Sequence, residues 1–393
     1  MISPPSSASL VYQTKTKNIK WVSVGKAIDI EDKFKALLVC QNIAFAEFDL
    51  LEKFTYNTTT QYICVSADSN PILLFPIQEV WIDKSHFPSF KRTFWQRITS
   101  LLIDLSCFNV LFSGNLLQID KSYLGYDGNV ISEIEAYQLH FQVINSMAVQ
   151  KSISGHLVHL PARIAENFKS DLRTWGFEQP LPDYEMALEI RSHWKNWADY
   201  TADLSKKYVA RAKKIRDSAS ELSIRMLSES EILDLEAEIQ FLYLQTINKQ
   251  DVVLAKAAKG YFNALKTCFK DDFQIKGMFK NAKLVAFYSW FAFDDTIEMH
   301  FVGLEYNLNH QYNLYFNILF GGLIDAIELN KKSIFFGRTS LDAKASLGAK
   351  AIPSHSYLRL KGINPFVTET LQKYISKAEI ETWKDRNPLK NLA

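Results

Sequence analysis

Residues 137–144, YQLHFQVI, return as YNLYFNIL at residues 312–319. Tyr, Leu and Phe coincide, Gln faces Asn twice, and the remaining positions are conservative. An internal repeat at long spacing limits the chain to architectures in which one structural unit occurs twice. Both octapeptides open an apolar pattern of helical spacing, about four turns long. Each pattern ends in a lysine-bearing polar patch, Gln150-Lys151 or Lys331-Lys332.

The flanking segments repeat too. Residues 61–81, QYICVSADSNPILLFPIQEVW, and 273–293, FQIKGMFKNAKLVAFYSWFAF, each read as strand, polar turn, strand. The turns DSNP and KNAK carry the residues a hairpin needs to reverse. After each central helix comes a short apolar strand, HLVHL (156–160) or SIFFG (333–337). A further helix follows, over 162–175 or 340–347, and stops at Gly176 or Gly348. Glycine just past a helix supplies the left-handed residue that closes it. A last strand then ends each unit, YEMALEI (184–190) or HSYLRLK (355–361).

Upstream helices are predicted over 31–53 in the first unit, and over 229–248 and 258–269 in the second. Ser228 followed by Glu231 is a capping-box pair. Between the units, 195–220 reads as one basic helix, with Trp197, Tyr200, Leu204, Tyr208, Ala212 and Ile215 on its apolar side. The predicted division is 1–192, a linker helix at 193–220, and 221–393. The tail over roughly 366–393 also reads as helical. The fold class is α/β (α+β), with two tandem domains, each a mixed, mainly antiparallel sheet flanked by helices.

Composition agrees with a chain of this length folding as more than one domain. Of its 393 residues, 47% are hydrophobic and 22% charged, enough to bury substantial cores. The net charge of +2 gives no general attraction to DNA or a membrane surface, so any basic site is local. Cys40, Cys64, Cys107 and Cys268 are scattered without a CxxC pair, which fits a reducing compartment. No signal-like N-terminal run and no stretch of ~18 apolar residues occurs, so a cytoplasmic location without a membrane span is expected.

The order of elements, the KKY-x-x-R-x-KK-x-R pattern at 206–216, and the segments FVGLEY (301–306), YNLYF and FFGRTSLDAKASLGA (335–349) resemble the GNAT superfamily, and within it the FemABX-like tandem-GNAT proteins. The resemblance covers roughly residues 60–362. It implies transfer of an acyl group to an amine, from acyl-CoA or from aminoacyl-tRNA. One feature departs from acetyl-CoA-binding members, which carry a glycine-rich loop before the central helix to hold a pyrophosphate. Here EYNLNHQYN (305–313) has no glycine, and DGNVISEIE (127–135) has one glycine and three acidic residues.

Acyl transfer to an amine needs a base and donors for the tetrahedral oxyanion. Glu298 and His300 lie two residues apart on a predicted strand and share one sheet face. They serve as the catalytic pair, or alternatively as a hydrogen-bonded His and a solvent-facing Glu. Arg338 fits a carboxylate or phosphate, with Lys344 aimed at the same anion. Thr339 is either a substrate contact there or, with Ser340, a helix cap. Tyr306, Tyr312 and Tyr357 are acid candidates or packed tyrosines. Asn115, in the turn FSGN, faces a ligand or ends a strand. Arg211 and its basic neighbours face phosphates of a tRNA end, or form a solvated helix face. His156 and His159 share a strand among apolar neighbours, and no metal site is predicted.

Two functions fit. One is an N-acyltransferase with a small-molecule or peptide amine acceptor, and with an acyl-CoA-type donor or an aminoacyl-tRNA. The other is a non-catalytic ligand- or protein-binding protein of the same fold. The second unit is expected to carry the chemistry and the first to be architectural or to supply acceptor contacts.

Overall fold

The computed structural model describes residues 12–14, 17–41, 43–87, 108–118, 121–150, 153–177, 184–250, 252–361, 384 and 386–390. They fall into two compact units, one drawn from residues 1–181, 251–258 and 355–372, the other from 182–250, 259–354 and 373–393.

In the first unit, strands β1 (Tyr12–Thr14), β2 (Lys17–Val24), β4 (Thr58–Ala67), β5 (Asn70–Ile82), β6 (Phe108–Ser113), β8 (Gly155–His159) and β17 (Ser356–Leu360) lie in that order across one sheet. All neighbours are antiparallel except β6 and β8. Helices α1 (Asp32–Val39) and α2 (Phe45–Phe54) pack on one face, and α3 (Glu133–Gln150) on the other. Alternation along β4 sorts the side chains. Tyr62 and Cys64 join Phe34, Leu38 and Phe48, whereas Ile63 and Val65 join Ala136, Phe141 and Ile144. Burial on both faces explains why these strands read as continuous apolar runs. Short strands β3 (Thr55–Tyr56) and β11 (Lys256–Ala257) pair separately, and β7 (Gly125–Tyr126) pairs with β5.

The second unit repeats the plan. Its sheet runs β10 (Ser223–Met226), β12 (Phe273–Lys280), β13 (Lys283–Ala292), β14 (Thr296–Leu304), β15 (Ser333–Phe335), β9 (Tyr184–Glu189) and β16 (Lys350–Pro353). Helices α8 (Glu229–Asp234), α9 (Glu236–Ile247) and α10 (Tyr261–Phe269) precede β12. Helices α11 (Tyr306–Tyr312) and α12 (Leu314–Glu328) follow β14, and α13 (Leu341–Ala345) follows β15. The repeated octapeptides therefore open α3 and close α11 into α12. Gly321 and Gly322 bring α12 so close to the sheet that a Cβ on either would strike Tyr288 or Met299.

Both hairpins turn on two residues with positive φ, Asp68-Ser69 and Asn281-Ala282, as the type I′ geometry requires. Gly176 and Gly348 take the left-handed conformation after their helices, with φ of +78° and +106°. Ser228 and Glu231 form the expected capping box.

Two expectations are corrected. The repeat predicts that each unit closes on its own last strand. The pairing is exchanged instead. β9, from the first repeat, lies between β15 and β16, and β17, from the second, pairs with β8. An alternating strand pattern carries no information about which sheet it joins. The single helix read over 195–220 is two, α6 (Trp197–Asp203) and α7 (Lys206–Ser218). Leu204 and Ser205 are extended between them, tied to Leu389 and the Pro388 carbonyl. The apolar sides of α6 and α7, including Tyr200, Ala212 and Ile215, belong to the second unit's core. The helix read over 366–393 lies mostly outside the described residues, as does Cys107. Among the described residues no helix is long and apolar enough to cross a membrane.

Candidate functional site

In the second unit β14 and β15 run parallel and pair only from Thr296–Ser333 to Glu298–Phe335. β14 then continues to Leu304, and its edge on that side has no strand partner among the described residues. Its other edge stays bonded to β13 through a bulge, with Val302 opposite Tyr288 and Met299 opposite Trp290. His300 and Phe301 together thus face Ser289. The buried Ser289 hydroxyl accepts the Phe301 amide and donates to the Phe301 carbonyl.

Glu298 and His300 project from the face opposite Met299, which meets α12 at Gly322. Both are half-buried and differ in their neighbours. Glu298 lies at the point where the strands part. The His300 imidazole is enclosed by the rings of Phe301, Phe291, Tyr261 and Phe273, with Nε2 3.2 Å from the Tyr261 hydroxyl. Burial pushes its pKa down to about 3. A base that far below neutral pH takes a proton poorly.

Arg338 is half-buried in the turn after β15, where Gly337 has φ of +78°. Thr339 is exposed, and Ser340 takes the cap position of α13 in a left-handed conformation without a side-chain cap bond. Lys344 does not reach outward beside Arg338. It is 2% exposed, and its Nζ donates to the Gly337 carbonyl at 3.0 Å, bracing the turn that carries Arg338.

The remaining candidates are dispersed. The Tyr306 ring lies under Lys249 Nζ, and burial raises its hydroxyl pKa. Tyr312 is buried, donates to Glu221 and lies under Lys280. Arg211 is exposed and stacks on Phe316 in the first turn of α12. In the first unit Tyr357 is a core residue, and burial raises its pKa. Asn115 is buried, accepting from the Leu117 amide and donating to Gln118 and Tyr123, so it builds its turn.

At the start of each central helix one backbone amide is held by a side chain. In α12 the Tyr315 amide is taken by Asn309, and α11 fills the position of the glycine-rich loop. At α3, Ser132 and Glu135 close on each other, and the acidic Glu133 lies beside them. A carboxylate at that end repels an added anion. Among the described residues no cluster of metal-ligating side chains occurs.

No protein-family model matches the sequence, and comparison with curated proteins yields no match. Solved structures do match. A tandem GNAT protein from the clavulanic acid biosynthesis pathway has a TM-score of 0.50 at 10% identity, covering 88% of this chain and 100% of that one. The chain has a tandem GNAT fold. FemX matches with a TM-score of 0.45 at 8% identity over 82% of this chain and 91% of its own. A GCN5-related N-acetyltransferase from Kribbella flavida gives 0.47 at 8% identity over 89% and 72%.

Within the second GNAT unit, sequence reasoning passed over Ser289, which seals the bulge, and Tyr261, which holds His300. It also passed over a buried network in which Asp325 of α12 accepts from Lys276 and, at 3.0 Å, from Tyr288. Burial raises the Asp325 pKa despite the lysine. The signal available was Asp325, the one carboxylate in the largely apolar LYFNILFGGLIDAI, since a carboxylate there needs a partner from the sheet.

Proposed function

We propose that this chain is an N-acyltransferase that moves an acyl group from an acyl-CoA-type or aminoacyl-tRNA donor to an amine acceptor. The observation that carries this reading is the parting of β14 from β15 beyond Glu298, which leaves an unpaired strand edge beside a half-buried carboxylate. Unpaired backbone amides at such an edge are suited to an acyl carbonyl as it becomes an oxyanion. The amine nitrogen bonds to the acyl carbon, Glu298 takes the amine proton, and the C–S or C–O bond to the donor breaks. The leaving group takes a proton from water, and Glu298 returns the amine proton to that water, which restores its base form. Arg338 holds an anionic part of either substrate, and Lys344 fixes the Arg338 turn through Gly337. His300 and Tyr261 form the aromatic surround beside Glu298 on the same face, and Tyr306 and Tyr312 pack.

The Tyr315 amide at the start of α12 and the Glu135 amide at the start of α3 are already bonded to side chains, which weakens both ends as pyrophosphate sites. A CoA-type donor would therefore be gripped through its acyl arm and by side-chain cations such as Arg338.

The test is thermal stabilisation by acetyl-CoA, longer acyl-CoAs, free CoA and charged tRNA, followed by mass detection of amide product with a panel of amines. A ligand at 100 times its Kd adds about 2.7 kcal/mol. Stabilisation and amide product with one donor support the reading and name the donor. Stabilisation without product from any donor supports the second reading, a non-catalytic binding protein.

A further inference from the structure

Residues 386–390, RNPLK, form no helix and only a single β-bridge, yet they bond to three separate stretches of the second unit. At the α6–α7 junction the Ser205 amide donates to the Pro388 carbonyl at 2.9 Å, and the Lys390 amide donates to the Asp203 carbonyl at 2.7 Å. Arg191 donates to the Lys390 carbonyl at 2.8 Å. Beyond the site's second turn, Lys350 donates to the Asn387 side chain at 2.7 Å, and Leu389 packs so close on Gly348 that a Cβ there would lie 2.9 Å from it.

The two ends of this strap are anchored differently. At one end the Asp203 carboxylate lies against the side-chain nitrogens of Arg191, His193 and Trp194 at 2.7, 2.8 and 2.8 Å. At the other, Arg386 meets Asp342 of α13 in a two-point fork, Nε to Oδ1 and Nη2 to Oδ2, each at 2.9 Å. The pair is partly exposed, 28% for the arginine and 47% for the aspartate. A one-point pair at that exposure contributes little, but a fork fixes orientation as well as distance.

Orientation is what α13 lacks by itself. It has five residues, and Ser340 gives it no side-chain cap. So short a helix has too few internal bonds to hold its own shape or direction. It is fixed from outside, by Arg386 on Asp342 and by the Tyr200 hydroxyl, which donates to the Leu347 carbonyl at 2.9 Å. Lys344 then reaches back from α13 to the Gly337 carbonyl, next to Arg338. A tilt of α13 is therefore carried into the turn that bears Arg338.

We propose that Arg386 is a positioning residue for Arg338. Through Asp342 it fixes α13, and through Lys344 and Gly337 it fixes the turn from which the Arg338 guanidinium holds an anionic substrate group. The inference rests on the reading of Arg338 as the anion-holding residue.

The test is hydrogen exchange of the full chain, followed by mass spectrometry over residues 337–349. Wild type is compared with Arg386→Ala, with Asp342→Asn, and with the swapped pair Arg386→Asp plus Asp342→Arg. Each single variant should speed exchange in that segment about two- to fivefold, the worth of a partly exposed pair, and leave the β12–β13 ladder unchanged. The swapped pair should return the segment to the wild-type rate. Unchanged exchange in both single variants would overturn the proposal. Faster exchange throughout the second unit would also overturn it, because the strap would then only support the fold.

These readouts need no substrate, so they stand or fall apart from acyl transfer. In turnover, Arg386→Ala should raise KM for the anionic substrate, spare kcat, and add nothing in an Arg338→Ala background. An equal rise in both backgrounds would break the link to Arg338. A KM indifferent to Arg338→Ala itself would instead remove the reading of Arg338 on which the inference rests.

Discussion

Ser289 Oγ donates to the Phe301 carbonyl at 3.0 Å and accepts the Phe301 amide at 3.1 Å, so one buried hydroxyl closes both backbone groups of the β14 bulge. A bulge leaves ladder groups unpaired, and at a buried position those groups need a substitute. Ser289→Ala should therefore lower stability by about 1–3 kcal/mol, the range for leaving buried polar groups unmet. Urea denaturation checks this through a lower midpoint at unchanged slope. A midpoint equal to wild type would mean that water or another group replaces the hydroxyl.

Histidines packed among other side chains make the fold sensitive to acid; His140 and His156 are buried and His300 is half-buried among rings. Burial pushes His140 and His300 down to about 3, and His156 well below its ordinary value. In the unfolded chain imidazoles titrate near about 6.5. Between about pH 6.5 and pH 3 the unfolded chain therefore binds more protons than the folded one. Their contribution is complete above the upper limit and is lost as pH falls through that window. Each histidine adds a slope of up to about 1.4 kcal/mol per pH unit. Stability measured by urea at pH 7, 6 and 5 should fall steeply, and His300→Phe should flatten the fall. An unchanged slope in that variant would show that His300 stays accessible to protons.

Close approach at Gly303 gives a prediction that needs no titration. A Cβ added there would lie 2.7 Å from the Leu242 carbonyl carbon in α9 and would also strike the Phe287 ring. Backbone cannot rotate away, so α9 must shift as a body. Gly303→Ala should cost about 1–3 kcal/mol or more by overpacking. A thermal midpoint within one degree of wild type would mean that α9 is loosely held there.

The parts of this fold that were legible in the sequence are those with a local cause. The two I′ turns at Asp68-Ser69 and Asn281-Ala282, the caps at Ser228, Gly176 and Gly348, and the repeated central helices each follow from residues within a few positions. What was not legible depends on partners distant in sequence. β9 and β17 have similar alternation, and nothing in either states that they exchange sheets. The break at Leu204-Ser205 has no proline or glycine; only the Ser before the basic run of α7 hinted at a new helix start. At the site, spacing alone places Glu298 and His300 on one sheet face and leaves open which of them meets a substrate. Tyr261 and Phe273, which distinguish His300, come from other segments of the chain, and the aromatic enclosure appears only on folding.

That distinction yields the sharpest test of the proposed chemistry. Glu298→Gln keeps the shape of the side chain and removes its basicity, and should lower kcat by about 10²–10⁴-fold if the carboxylate takes the amine proton. His300→Phe should change kcat far less, because a neutral imidazole with a pKa near 3 has little base strength to lose. Arg338→Ala should act mainly on KM for the anionic substrate, since it removes binding made equally in ground and transition states. Urea midpoints close to wild type for Glu298→Gln and Arg338→Ala would show that any loss is chemical rather than structural. A kcat for Glu298→Gln equal to wild type, with loss on His300→Phe, would reverse the assignment of the base. Full activity in both would remove the β14 face from the reaction while leaving the tandem GNAT fold untouched.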